Sequence, residues 1–356
     1  MNETLYSIFS SLPFCLCLFW WLILQLRRDT VSSPAHRYLS LFAFIGMVLY
    51  FCHAAFFNGE ESPLLRIVYY ICHLAVFPVF WLYIRTLTEP ERLKLRDGWV
   101  LAPSVAMAIT LFVLFACGRS PELLDLPVRL IFLTQLILVC ISVIRRLTAF
   151  DRKVKNFYVD TEHKSLQDLR SLFFLLIPLT VLSAIGGTVG RGIFVNRLLI
   201  IVPSLLFSAL LFGIFHVGFL LEYTAAEMAG AGHEEATHGE ETDERDQQAL
   251  LQRIRELMES RELYLTPGLK ISDVAEALDT NRTYISACIN RQTGMSFSDY
   301  VNGFRVRYAQ SLIRRKDPDL TLTQIGIQSG FAGDTSFFRN FKKVTGQTPS
   351  EWLASQ

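Results

Sequence analysis

Hydrophobic positions fall along this chain in two different rhythms. Over the first part they run unbroken: residues 6–26, 38–57, 67–84, 99–117, 130–144, 172–185 and 198–221 hold no Asp, Glu, Lys or Arg. A bilayer core of about 30 Å takes roughly 20 apolar residues of helix, so runs of this kind predict membrane crossings. The runs at 130–144 and 172–185 are short. The pattern predicts seven crossings, or six if the run at 172–185 does not cross in full. Past residue 248 the rhythm changes. Leu250, Leu251, Ile254, Leu257 and Met258 recur at helical spacing, the mark of a helix with one apolar face. Both rhythms are helical, and the expected fold class is all-α: a polytopic transmembrane helical bundle of about seven spans, followed by a helical domain outside the membrane.

The later rhythm has a finer structure. In the run Ile271-Ser272-Asp273-Val274-Ala275-Glu276-Ala277-Leu278, Asp273 and Glu276 face out while Val274, Ala275 and Leu278 face in, with Ser272 as the expected N-cap. A short turn, Asp279-Thr280-Asn281, leads to a second helix over 282–291. Small Ala275 suits two helices that cross steeply over a short turn, the logic of a helix-turn-helix. The pattern returns about 52 residues on: Gly294, Ser296, Phe297 and Tyr300 correspond to Gly346, Thr348, Pro349 and Trp352. Between the copies, 298–315 reads as one helix with Tyr300, Val301, Phe304, Tyr308, Leu312 and Ile313 on its apolar face. Two such units joined by a stiff helix would set two recognition helices into adjacent major grooves, about 34 Å apart.

Composition sharpens the division. Of 356 residues, 51% are hydrophobic and only 19% charged, and the formal net charge of +1 averages unlike parts. The stretch 222–248 carries nine acids and one base, Arg245, and no apolar period, so it reads as a disordered tether. The expected domains are 1–222 in the membrane, 223–248 as acidic linker and 249–356 as DNA-binding domain. The last of these has fourteen bases against eleven acids. Lys and Arg gather in cytoplasmic loops. Fourteen lie in the loops after the first, third and fifth runs, against five (Arg66, Arg119, Arg129, Arg191 and Arg197) in the alternate ones. With seven crossings, that bias places the amino terminus outside and residue 222 onward in the cytoplasm. The first run has no basic n-region and no cleavage site, so it reads as an anchor rather than a signal peptide.

Candidate chemistry in the membrane half is sparse. The spans hold no acids, which a proton- or ion-coupled transporter would normally need. His53, His73 and His216 are titratable candidates for a metal, haem or pH response, set against the commoner role of hydrogen bonding between helices. Pro78, Pro103, Pro178 and Pro203 are positioned to kink spans, and the five outer arginines either gather around an anion or snorkel. The glycine-rich stretch 186–192 matches no phosphate-binding loop. His233, Glu234 and His238 resemble a metalloprotease motif, but the two histidines stand five apart and fall off one helix face. The seven cysteines form no CxxC pair. Neither a cofactor, a metal site nor an enzyme activity is expected.

The run Ile325-Gly326-(x)3-Gly330-Phe331-(x)3-Thr335-Ser336-Phe337-Phe338-Arg339-Asn340-Phe341-Lys342-Lys343-(x)2-Gly346-Gln347-Thr348-Pro349-Ser350-Glu351-Trp352 resembles the AraC/XylS family signature. Upstream, Phe297, Tyr300, Arg305, Ala309 and Leu312 resemble that family's linker helix. The resemblance covers roughly 250–354, and a membrane half fused to it is similar to membrane-embedded members of the family in bacteria. It implies an AraC-type double helix-turn-helix domain in the cytoplasm of a cell whose inner membrane holds the rest. The implied recognition helices are 282–291 and 334–343. Implied base-edge contacts are Arg282, Thr283, Ser286, Asn290, Asp334, Thr335 and Arg339, since Arg and Asn pair bidentately with guanine and adenine. Arg291, Arg305, Lys342 and Lys343 are the implied phosphate contacts. Tyr284, Ile285, Ile289, Phe337 and Phe341 read as core. The chain departs from the family at Gly326, usually Ala, at Gly333, usually Ser, at Ser336, usually Tyr, and at Leu353, often basic. The expected partners are double-stranded DNA and the bilayer, with a small-molecule ligand and a homodimer left open. A one-component transmembrane regulator is the leading reading. A transporter or enzyme with an accessory DNA-binding domain, and a DNA–membrane tether, are the alternatives.

Overall fold

The structure, a computed structural model, describes residues 3–27, 33–57, 62–89, 95–160, 166–189, 198–230, 244–315 and 320–355. The described residues are helical almost throughout. They divide into two compact units: Met1–Thr148 with Leu166–Ala229, and Ala149–Ser165 with Gly230–Gln356.

The first unit takes its helices from the apolar runs: α1 (Glu3–Leu26), α2 (Pro34–Phe57), α3 (Pro63–Thr88), α4 (Ala102–Ala116), α5 (Asp125–Phe157), α6 (Gln167–Val189) and α7 (Leu198–Gly230). Six helical stretches among the described residues are long and apolar enough to cross a membrane: those of α1, α2, α3, α5 and α7, and Asp97–Ala116, which joins a short 3-10 segment to α4. The short run at 172–185 lies in α6, which is helical over 23 residues but is not one of those six. Pro78, Pro178 and Pro203 fall inside helices, whereas Pro103 sits in the first turn of α4, where its missing N–H costs nothing.

Helix α3 is the centre of this unit, with every residue from Phe77 to Thr88 buried. A buried guanidinium must be paired, and Arg85 of α3 meets Glu89 at 2.8 Å and Asp97 at 3.7 Å. Glu89 also takes Arg146 of α5 at 3.0 Å, and Trp81 of α3 donates to Ser142 of α5 at 2.8 Å. Gly218 of α7 is required where α7 passes α3, because a Cβ there would stand 2.6 Å from the Tyr83 hydroxyl oxygen. The three histidines lie among aromatic rings. His73 stacks on Phe132 at 3.8 Å between centroids, His53 lies 5.2 Å from Tyr69, and His216 stacks on Phe212 at 5.9 Å. Arg66 pairs with Glu122 at 3.1 Å and Arg129 with Asp125 at 3.8 Å. Arg191, His233 and His238 lie outside the described residues, as does Arg197.

The second unit contains α8 (Glu244–Arg261), α9 (Ile271–Ala277), α10 (Arg282–Thr293), α11 (Phe297–Arg314), α12 (Leu322–Gln328), α13 (Asp334–Thr345) and α14 (Pro349–Ala354). Both ends of the acidic stretch are therefore helical, since α7 runs to Gly230 and α8 starts at Glu244; residues 231–243 are outside the described set. Side-chain caps start most of these helices. Asn281 Oδ1 accepts from Tyr284 N, Ser296 Oγ from Asp299 N, and Thr321 and Thr348 form capping boxes with Gln324 and Glu351. Ser272 is not the cap of α9. The helix begins two residues earlier than a Ser272 cap would set it, with Lys270 at the N-cap position, and the Asp273 carboxylate accepts from Lys270 N at 2.8 Å.

Gly326 and Gly330 carry specific demands. A Cβ on Gly326 would come within 2.9 Å of the Phe337 ring, so its glycine is matched to the large aromatic of the next helix. Gly330 has φ +84 and lies against the backbone of Tyr264 and Leu265. Gly326→Ala is expected to destabilise the protein by about 1 kcal/mol, overpacking against Phe337 outweighing the gain in helix propensity. The thermal midpoint of the detergent-solubilised protein, which should fall by a few degrees, checks it; a rise would mean that Phe337 can swing away.

Candidate nucleic-acid interface

Two helix pairs of the same design lie on either side of α11. In the first, Thr280 N bonds back to Ala275 O and Asp279 takes a left-handed conformation, turning the chain from α9 into α10. In the second, Gly330 does the same between α12 and α13. The inner faces are apolar: Ile285 and Ile289 of α10 and Phe337 and Phe341 of α13 are fully buried, and Tyr284 is half-buried. Outward-facing positions then follow from helical geometry. On α13 these are Asp334, Thr335, Arg339, Lys342 and Lys343, all exposed. On α10 Thr283 and Arg291 are exposed, with Arg282, Ser286 and Asn290 half-buried beside them.

The side chains on those faces differ in how they are held. Asn290 donates its amide to the carbonyl of Ser286 at 2.8 Å and to the Ser286 hydroxyl at 3.2 Å, which turns its donors back on its own helix. Asp334 accepts from the Thr323 hydroxyl at 3.0 Å. Lys343 meets Asp299 of α11 at 2.5 Å. The Arg282 guanidinium lies 5.2 Å over the ring of Phe157, a cation–π contact. Arg339 and Lys342 present their charge outward from α13.

Arg305 requires a correction. The family resemblance implied a phosphate contact, but this side chain is 0% exposed. Nε donates to Tyr264 O at 2.6 Å, Nη2 to Thr266 O at 3.0 Å, and Nη1 to the Asp160 carboxylate at 2.7 Å. Burial pushes the guanidinium below its ordinary pKa and the Asp160 charge offsets part of this; arginine nevertheless stays protonated throughout the accessible range. Its place was readable in principle. Val301, Arg305, Ala309 and Leu312 lie on one stripe of α11, so a charge at 305 points into the core and needs an acid.

That acid comes from the segment that follows α5. Asp160, 9% exposed, also accepts from Gly268 N at 3.0 Å. Val159 N donates to Leu269 O at 3.1 Å, the Ser298 hydroxyl donates to Val159 O at 2.8 Å, and Tyr158 pairs antiparallel with Lys270. Sequence reading placed these residues in a basic loop between spans and missed that they complete the second unit.

Residues 274–355 match the family described as a helix-turn-helix domain. An uncharacterized HTH-type transcriptional regulator of Staphylococcus aureus strain MSSA476 is 27% identical over 100 residues, covering 28% of this chain and 13% of that protein. The Msm operon regulatory protein of Streptococcus mutans serotype c is 27% identical over 85 residues, 24% of this chain and 30% of the other. The chain thus spans about an eighth of the first relative and under a third of the second. A solved structure of a protein of unknown function from Listeria innocua is 29% identical, covering 30% of this chain and 96% of its own, with a TM-score of 0.26. The carboxy-terminal unit carries an AraC-type helix-turn-helix domain.

Removing Asp160 leaves the Arg305 charge buried and unpaired. Asp160→Ala is expected to destabilise the second unit by about 3–5 kcal/mol. Limited proteolysis of the full-length protein in membranes, probing cleavage between residues 249 and 356, should show faster digestion in the variant; an unchanged rate would mean that the pair does not hold the unit together.

Proposed function

We propose that this protein is a membrane-bound, sequence-specific DNA-binding transcription regulator of a bacterial inner membrane. The observation that carries the reading is the joining, in one chain, of six helices apolar enough to cross a membrane with two helix-turn-helix pairs whose outer faces carry Thr, Arg and Lys. The names of the relatives, transcriptional regulators in two genera, support the same function. Counting α6 as a seventh crossing puts the amino terminus outside and the DNA-binding unit in the cytoplasm, in agreement with the Lys and Arg of the loops.

In this reading α10 and α13 enter adjacent major grooves of double-stranded DNA. Arg282 and Arg339 read guanine edges, Thr283, Ser286, Asn290, Asp334 and Thr335 contribute shorter-range contacts, and Arg291, Lys342 and Lys343 hold phosphates. A domain with only three excess positive charges binds DNA weakly on its own, so pairing of two units, a homodimer or tethering raises the affinity. The membrane half senses a signal.

Genome-wide crosslinking and pull-down of the full-length protein in its host, beside Arg282→Ala/Arg339→Ala, tests this. Discrete promoter sites in the native chain that vanish in the variant are expected; the same sites persisting in both would place recognition elsewhere. At one such site, Lys342→Ala should lower the slope of log affinity against log salt by about 1 while leaving the preferred sequence unchanged. A change of preferred sequence would make Lys342 a base reader.

A further inference from the structure

The joined ends of α1 and α2 are net positive. Residues 27–37 hold Arg27, Arg28 and Arg37 against one acid, Asp29. Helix α2 opens on Pro34-Ala35-His36-Arg37, with no acid in its first turn. The amino end of a helix is itself positive, so an anion is stabilised there and a cation is not. Arg37 adds a full charge at that end; its side chain is exposed and pairs with no acid among the described residues.

Between these helix ends lies an open cleft of about 330 Å³ whose two halves differ in chemistry. Gln25, Arg37 and Ser40 line the half next to the joint, and Trp21, Leu41 and Phe44 line the half further into the apolar runs. Arg37 and Phe44 stand seven residues apart on α2, about 10 Å of helix. The polar half is fixed in place: His36 Nε2 donates to Leu24 O at 2.8 Å, and Gln25 Nε2 donates to Ser40 Oγ at 3.0 Å. Ser40 is 8% exposed, and its hydroxyl hydrogen meets no acceptor among the described residues. The apolar half faces outward. Leu41 and Phe44 are exposed, and the half-buried Trp21 ring lies 5.7 Å from that of Phe44.

We propose that this cleft binds an anionic phospholipid, its phosphate held by Arg37 and Ser40 and the start of its acyl chains lying on Trp21, Leu41 and Phe44. Two properties select that occupant. The guanidinium, the helix end and the hydroxyl donor together call for an anion rich in acceptors, which a phosphodiester is. The apolar wall beside them, open to the side, calls for hydrocarbon continuous with the bilayer. Inorganic phosphate would meet the first demand and leave the second uncovered. A zwitterionic lipid would meet the second and bring a cation of its own toward Arg37. Basic pockets between helices at a membrane surface take lipid headgroups on the same grounds. The inference rests on the membrane part of the reading above and is independent of DNA binding.

The test uses the full-length protein, first in host membranes washed with alkaline carbonate and then in mild detergent. The protein that stays in the membrane is purified, equilibrated with equal amounts of dioleoylphosphatidylglycerol and dioleoylphosphatidylcholine, and weighed with its bound lipid by native mass spectrometry. Arg37→Gln is compared with Arg119→Gln, which removes an arginine beyond α4; both side chains are exposed, so neither change disturbs packing. The native chain should carry phosphatidylglycerol over phosphatidylcholine by about 5-fold, the weight of one arginine near a charged headgroup. That preference should fall to near unity in Arg37→Gln and persist in Arg119→Gln, and excess inorganic phosphate should not displace the lipid. The site is overturned, with the membrane reading intact, by any of three results: no preference in the native chain, a preference that survives Arg37→Gln or is lost equally in Arg119→Gln, or displacement by phosphate. Release of the protein by carbonate ends the membrane reading and the site with it.

Discussion

Arg305 brings a full positive charge into the interior of the carboxy-terminal unit, and much of the organisation around it follows from that placement. Two of its donors are met by the carbonyls of Tyr264 and Thr266, which fixes the turn between α8 and α9 against α11. Carbonyls do not neutralise a charge, however, and a buried guanidinium without an anion is one of the costliest arrangements a protein can hold. The acid is supplied from 145 residues away in sequence. Once Asp160 is committed, Tyr158 and Val159 are drawn in with it, and Phe157 reaches the start of α10.

Much of this fold was legible in the sequence because the forces involved are local and repetitive. Unbroken apolar runs became α1 to α7, and the repeat around Gly294 and Gly346 became two helix pairs with matching left-handed caps. Of the residues read as core on the two helices that the resemblance implied, Ile285, Ile289, Phe337 and Phe341 are buried and Tyr284 is half-buried. What escaped depends on distant or fine contacts. No periodicity links Asp160 to Arg305, and a charged residue in a family motif was given a phosphate when its stripe on α11 pointed inward. Ser272 had the composition of a cap, but Asp273 is the side chain that reaches the free amide. The departure at Gly326 has its reason in Phe337, whose ring occupies the space a methyl would need. Of the site, the exposed positions on α13 were readable from helical phase, whereas the internal bonds of Asn290 and Asp334 depend on rotamers that no pattern encodes.

The first unit follows the same rule of satisfied polarity in an apolar setting. Arg85, Glu89, Asp97 and Arg146 form a connected set of charges at the end of α3, where isolated ones would be expensive. His53, His73 and His216 are accommodated by aromatic rings. The Glu89–Arg146 pair and the Trp81–Ser142 hydrogen bond tie α5 to α3 in this unit.

The order of synthesis gives the segment that supplies Asp160 another meaning. Residues 157–160 leave the ribosome well before Arg305, by about 10 s at ordinary elongation rates. During that interval Phe157, Tyr158 and Val159 have no α11 to cover them. The carboxy-terminal unit is thus not assembled from consecutive chain: it closes around a segment made long before α11, and its buried ion pair can form only when both have been synthesised.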